Sequence, residues 1–363
     1  MARKLESDKL LFGSVVILVL FGCLMVFSAS AVLAAEQYGH SYHFLARQVV
    51  WAIAGLVLMV MMMNTDYHRL RDPLLLFSAL ALQLILLATV LFADRSQRAH
   101  RWFHLGSANF QPSEFTKIVL IIFLAYFLDL RRGSVNDFRH TLLPIGLIGG
   151  ASLALVLREP DLGTCVAITL VVAAMLFASG LRWQYFAAAA LGAVPSLYLL
   201  IFRVAYRRNR LLAFLDPYAD PRGKGFQILQ SYIAIGTGGI AGVGLMEGKQ
   251  KLFYLPEPQT DFIFAVISEE LGFIGALAVL ALFGVILWRG LRAATLCPDE
   301  FGRLLATGLT VMLVGQALVN ISVVVGLLPT KGIPLPLVSY GGSSLLINLL
   351  ALGILLNVSQ RAG

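Results

Sequence analysis

The chain reads as an all-α polytopic membrane protein with about ten transmembrane helices. Three observations carry that reading. Of its 363 residues, 58% are hydrophobic and only 13% are charged, whereas soluble domains are about a quarter charged. A soluble fold of this length cannot hide so much apolar side chain, because folded chains keep much of their surface in water. The apolar residues come in continuous runs of 14 to 27 residues, which bracket the roughly 20 that a helix needs to cross a bilayer. Barrel strands would instead alternate over about ten residues. Backbone inside a bilayer must pair its own polar groups, so the runs are expected to be helices.

The first run, residues 10–34, follows a charged start and contains Ser28-Ala29-Ser30-Ala31. Those are features of a signal peptide, but the run is longer than a signal-peptide core and is expected to stay as a helix. Runs follow at 49–63, 74–91, 114–128, 142–157, 164–179 and 185–202. A segment of nearly sixty residues, about 203–260, then precedes the last three runs, at 261–287, 305–328 and 343–356. No internal repeat is visible, unlike in many transporters. Residues 1–363 are read as one integral membrane domain, with 203–260 as a large extracytoplasmic loop between helices 7 and 8. Phe226, Tyr232, Phe253 and Tyr254 recur along that loop, which argues for order rather than disorder.

Lys and Arg set the expected orientation. With the N-terminus inside, the cytoplasmic segments hold thirteen and the short outer segments six, which places both termini in the cytoplasm. The long outer loop holds eight more; long segments cross with less regard to charge. The formal net charge of +8 is assigned to that bias and to anionic membrane lipid, and no nucleic acid is expected. Cys23, Cys165 and Cys297 suggest neither a disulfide framework nor a metal site, and the six histidines lack ligand spacing.

Asp261 is the strongest candidate for chemistry. It stands where loop becomes helix, with Thr260 as the expected N-cap and Asp261 in the first turn. One reading is a helix-start carboxylate favoured by the dipole. The other is a general base that takes a proton from a substrate hydroxyl. Glu269 and Glu270 lie about two turns deeper, too far to pair with it directly. Carboxylates in a membrane helix are functional candidates by default. Glu114 and Lys117, three residues apart, can neutralise each other on one helix face. The segment 329–344 holds three prolines and three glycines, so at membrane depth it must pack in protein or line a wet cavity. Lys331 would bring a compact cation to that cavity. Arg203, Arg207, Arg208 and Arg210 suit either lipid headgroups or a phosphate-bearing amphiphile.

Several of these stretches resemble one family. Gln111-Pro112-Ser113-Glu114-Phe115-Thr116-Lys117, Pro160-Asp161-Leu162-Gly163-Thr164, and the segments 256–272 and 334–344 are similar to the SEDS proteins FtsW, RodA and SpoVE. The likeness covers nearly the whole chain, in order. Within the family, Phe44-Leu45-Ala46-Arg47-Gln48, the segment 251–257 and Leu328-Pro329-Thr330-Lys331-Gly332 look more like FtsW and SpoVE than RodA.

The resemblance implies the ten-helix SEDS fold in a bacterial inner membrane. It implies a peptidoglycan glycosyltransferase that polymerises lipid II, serves cell division, and works beside a class B penicillin-binding transpeptidase and other divisome membrane proteins. It places the essential acid on Asp261 and further family charges on Glu114, Lys117 and Asp161. Inverting transfer needs one carboxylate base, and a departing pyrophosphate needs cations. Arg101, Arg210 and Lys331 are candidates for that role, with Gln259 and Ser339 as further substrate contacts and Glu269 as a supporting charge. No cofactor is marked by motif; a divalent Mg or Mn ion is compatible with a pyrophosphate leaving group. The alternatives are a lipid II flippase, the elongation-type RodA paralogue, and a scaffold that only positions the transpeptidase.

Overall fold

The fold is described from a computed structural model, which describes residues 7–93, 101–105, 108–252, 254–330 and 332–361. Each of the ten apolar runs is helical: α1 (Lys9–Tyr38), α2 (His43–Met63), α3 (Pro73–Ala93), α4 (Pro112–Leu130), α5 (Leu143–Arg158), α6 (Leu162–Ala178), α7 (Trp183–Phe202), α10 (Ile263–Leu296), α11 (Glu300–Val324) and α12 (Gly342–Ser359). The segment 203–260 contributes α8 (Ala205–Leu215) and α9 (Phe226–Gly238). A short antiparallel pair, β1 (Phe103–Leu105) and β2 (Ala108–Phe110), precedes α4.

Among the described residues, eight helices are long and apolar enough to cross a membrane: α1, α2, α3, α5 with its π-helical first turn, α7, α10, α11 and α12. Two of the expected ten fall short of that measure. The α6 helix has 17 residues. The α4 helix has 19 and carries Glu114, Lys117 and Asp129.

Local chemistry fixes the ends. The Asp8 carboxylate accepts from the amides of Leu10 and Leu11 at 3.1 Å and caps α1. Gly39 closes the helix at φ 74°, a left-handed position that costs glycine nothing. Asp299 caps α11, and Pro112 opens α4 at a position that needs no amide donor. The α4, α11 and α12 helices form the buried centre with the first turns of α10. By contrast, α7 packs on the core only through half-buried Tyr185 and Phe186 near its start, and most of its remaining described side chains are exposed.

The run 261–287 is not one straight helix. It becomes regular only at Ile263 and breaks at Gly272, where φ is 65° and ψ −161°. Such a break orphans backbone groups on both sides, a severe cost at membrane depth. The glycine-rich stretch after α9 repairs it. Val243 and Gly244 amides donate to the Glu269 and Glu270 carbonyls, both at 3.0 Å. The Phe273 and Ile274 amides donate in return to the Gly239 and Ile240 carbonyls, at 2.9 and 3.2 Å.

Side chains reinforce the same spot. Glu269 accepts from the amides of Lys249 and Gln250, the closer at 2.8 Å. Glu270 accepts from the Met246 amide, the Ser28 hydroxyl of α1 and the Lys251 ammonium. At the opposite end of the same pair of helices, Arg289 of α10 meets Asp8. The two clasps are twenty residues apart along α1 and nineteen along α10. At a rise of 1.5 Å per residue that is about 30 Å, the thickness of a bilayer's hydrocarbon core. Glu269 and Glu270 are thus fully partnered by the glycine-rich stretch, Ser28 and Lys251.

Gly272→Ala tests the repair. A β-carbon there would lie 2.4 Å from the Gly242 nitrogen, in a backbone region that L-residues avoid. The expected loss is about 3 kcal/mol or more, read as a fall in the thermal unfolding midpoint in detergent. A variant that melts with the wild type would mean that the break tolerates a side chain.

Candidate functional site

Asp261 sits in the turn ahead of α10, not in its first turn. Phe262 occupies the N-cap position, and the Thr260 hydroxyl donates to the Glu257 carbonyl at 3.2 Å instead of capping. The expected cap fails because the backbone around it is claimed from elsewhere. Three consecutive carbonyls are each held by a remote group. The Tyr340 amide donates to Gln259 at 2.9 Å, the Ser339 hydroxyl to Thr260 at 2.6 Å, and the Asn320 side-chain amide to Asp261 at 2.9 Å.

The proline-rich segment is tied by the same residues. Asn320 also donates to the Ile333 carbonyl at 2.7 Å, and Gln316, one turn earlier on α11, to Pro334 at 3.2 Å. Ser339 accepts from the Leu335 amide at 2.8 Å, and Gln48 of α2 donates to the Ser339 carbonyl at 3.2 Å. The irregular backbone is thus packed in protein and satisfied, as membrane depth demands.

The Asp261 carboxylate differs from its own backbone. Among the described residues, no hydrogen bond or ion pair reaches it. Gly332 lies beside it; a β-carbon there would come within 3.2 Å of Oδ2. Burial pushes its carboxyl up to about 6, Glu257 and Asp161 push the same way, and Arg210 and Arg101 oppose them.

Two of those charges are anchored to backbone. Arg101 donates from Nε to the Glu159 carbonyl at 2.9 Å and from Nη2 to Pro160. Arg210 donates to the Thr330 carbonyl at 3.2 Å. Asp161 caps α6, accepting from the Thr164 amide and hydroxyl at 3.1 and 2.8 Å and from Gln111 at 3.1 Å. A polar cleft joins Gln111, Glu114, Lys117, Asp161, Gln316 and Gly332. Asp261, Gln259, Ser339, Arg101, Arg210, Asp161, Glu114 and Lys117 therefore share one region. Glu269 stands apart in the repaired helix break. Lys331 lies outside the described residues.

Sequence reasoning passed over Asn320, Gln316 and Glu159. The first two are spaced by four in an apolar run, a signal that could have found them. Glu159 is wholly buried, and among the described residues neither carboxyl oxygen has a partner. Burial and Asp161 push it up to about 8 against Arg101, so it is largely protonated at neutral pH. Among the described residues, no three His, Cys, Asp or Glu side chains converge as a metal site requires.

The Glu114–Lys117 pair is buried, with Nζ 2.9 Å from Oε1. Lys117 also donates to Gln316 Oε1 at 2.7 Å, which links the pair to the Pro334 wall. Glu114→Ala leaves a buried ammonium short of its counter-charge and should cost about 2 to 4 kcal/mol. Lys117→Met should also destabilise, and the double variant should recover part of the loss. Strictly additive losses in thermal melts would show that the two do not interact.

With this geometry in place, the chain can be set beside known proteins. Residues 8–362 match the family model FTSW_RODA_SPOVE, described as cell cycle protein. The chain is 44% identical over 363 residues to the probable peptidoglycan glycosyltransferase FtsW of Geobacter sp. (strain M18), covering 99% of this chain and 98% of that protein. It is 41% identical over 360 residues to stage V sporulation protein E of Bacillus subtilis (strain 168), with 99% and 98% covered. Among solved structures, a chain from work on the structural coordination of polymerization and crosslinking by a peptidoglycan synthase complex matches at TM-score 0.80 and 34% identity, with 98% of each chain covered. The rod shape determining protein RodA of Thermus thermophilus matches at TM-score 0.71 and 30% identity, with 98% and 97% covered. The chain therefore belongs to the FtsW, RodA and SpoVE family of cell cycle proteins.

Proposed function

We infer that this protein is a peptidoglycan glycosyltransferase that polymerises lipid II, with Asp261 as its general base. The single observation that carries the residue assignment is the state of that carboxylate. It has no protein partner among the described residues, its pKa is raised towards the working range, and two arginines act on it. A base works best when its pKa lies near the operating pH. The family membership and the named relatives support the reaction class, and the FtsW-like relatives support a role in cell division.

The reaction follows from that placement. The acceptor's GlcNAc 4-hydroxyl gives its proton to Asp261, and its oxygen attacks C1 of the donor's MurNAc. The C1–O bond to the lipid pyrophosphate breaks with inversion, and the pyrophosphate leaves as an anion. Arg101 and Arg210 are placed to stabilise that charge as it develops. Lys331 is proposed to join them. The exposure of α7 beyond Tyr185 and Phe186 supports entry of the lipid-linked substrate from that side.

Beyond Lys117 the adjoining space is lined by Leu120, Leu124, Ile168, Val171 and Val172. We further place α4 and α6 as crossings, giving ten, with both termini cytoplasmic in a bacterial inner membrane. A class B penicillin-binding transpeptidase is the proposed partner.

Asp261→Asn should lower polymer formation from labelled lipid II by about 100- to 10,000-fold. The wild-type rate should rise as pH passes about 6, because only the ionised carboxylate accepts a proton. Stability should run the other way. A carboxyl that binds its proton more tightly when folded stabilises the fold at low pH and loses that contribution as pH rises through about 6. The Asn variant should therefore melt no lower than the wild type at pH 8. Near-wild-type polymerisation by this variant would remove Asp261 as the base.

A further inference from the structure

We propose that the turn joining α1 to α2 carries a sugar-stacking platform, Tyr38 backed by His43, that holds the amino-sugar glycan strand beside the Asp261 site. The proposal rests on the polymerase reading above.

The ring geometry is the first observation. Tyr38 lies flat against the His43 imidazole, with centroids 3.8 Å and planes 1° apart. Phe44 meets Tyr38 edge-on at 5.8 Å, and His40 meets His43 at 5.6 Å. One face of the tyrosine is thus supported, yet the residue remains 48% exposed. A backed, open ring suits the apolar face of a pyranose, and little motion is left to freeze on binding. Polar groups stand beside it. His40 is exposed, with Nδ1 2.9 Å from the Tyr38 carbonyl, while His43 Nε2 is buried and has no hydrogen-bond partner among the described residues. Sugar recognition needs that mixture of flat apolar surface and a few directional polar atoms.

Position is the second. Phe44 meets Tyr340 edge-on at 5.1 Å. The Tyr340 amide in turn holds the Gln259 carbonyl, two residues before Asp261. The platform is therefore continuous with the wall that fixes the base.

Interfacial aromatic belts lie at headgroup level. Tyr42 fits such a belt, stacked on Phe27 at 5.3 Å. Tyr38 lies four residues past the apolar run 10–34, about 6 Å beyond its end, and its backing by His43 distinguishes it from a belt tyrosine. A protein docking site would need a broad apolar patch, whereas Gly39, His40 and Ser41 follow this ring in the sequence.

The test uses the full-length protein with its partner transpeptidase and labelled lipid II. Tyr38→Ala should shorten the glycan strands. It should also weaken binding of soluble GlcNAc–MurNAc oligomers, followed by saturation-transfer NMR, by about two- to tenfold. Tyr38→Trp should restore both. Tyr42→Ala should lower thermal stability in lipid and leave strand length at the wild-type value. Unchanged strand length and oligomer binding in Tyr38→Ala would overturn the proposal. So would loss of transpeptidase co-purification with oligomer binding intact, which would make this a protein contact. A wild type that makes no polymer would count against the polymerase reading alone, and oligomer binding would still decide the platform.

Discussion

The hydrogen-bond exchange across Gly272 is the interaction on which the rest of the molecule depends. Four backbone bonds and two carboxylates join α10 to the glycine-rich stretch after α9. Without that exchange, the break would expose unpaired amides and carbonyls. With it, the 203–260 segment becomes part of the helical body. Lys251 enters the same cluster and bonds Ser28, so the chain leading to Asp261 is tied to α1 as well. Glycine is needed at the break because no other residue combines a φ of 65° with backbone packed so closely against it.

Around Asp261 the structure separates backbone from side chain. Gln259, Thr260 and Asp261 have their carbonyls fixed by α11 and by the approach to α12. Among the described residues, the Asp261 carboxylate is left without a partner. Fixing the main chain while leaving the carboxylate unsatisfied is the preorganisation that the proposed general base requires: position costs nothing further when substrate arrives. The penalty appears as a raised pKa, which burial produces and the neighbouring acids Glu257 and Asp161 increase. Glu159 shows the same tension more strongly, since it has lost all contact with water.

Much of the fold was legible because membrane helices announce themselves one residue after another. Each apolar run became a helix, and the acid at the head of the 261–287 run was visible as a charge at an apolar boundary. Boundaries and breaks were less so. Glu269-Glu270-Leu271-Gly272 reads as ordinary helix, and the partner that makes the break affordable lies some thirty residues earlier in the chain. The Thr260 cap was a sound local expectation, overridden by Ser339, which has first claim on that backbone. Asn320 and Gln316 stand out as polar positions in an apolar run. Their partners are main-chain atoms of distant segments, which residue types cannot reveal.

The spacing of the two charged clasps on α1 and α10 has a consequence for the lipid itself. Asp8–Arg289 and the Ser28–Lys251–Glu270 cluster are held about 30 Å apart along the unbroken α1 helix. A bilayer of that thickness leaves both in polar surroundings. In a thicker one, at least one of the two would be drawn into hydrocarbon, and the protein would have to tilt or pinch the lipid to escape it. The cluster also anchors the segment that leads to Asp261, so hydrophobic mismatch is transmitted to that carboxylate. Acyl-chain length in the host membrane thereby becomes a setting on the enzyme.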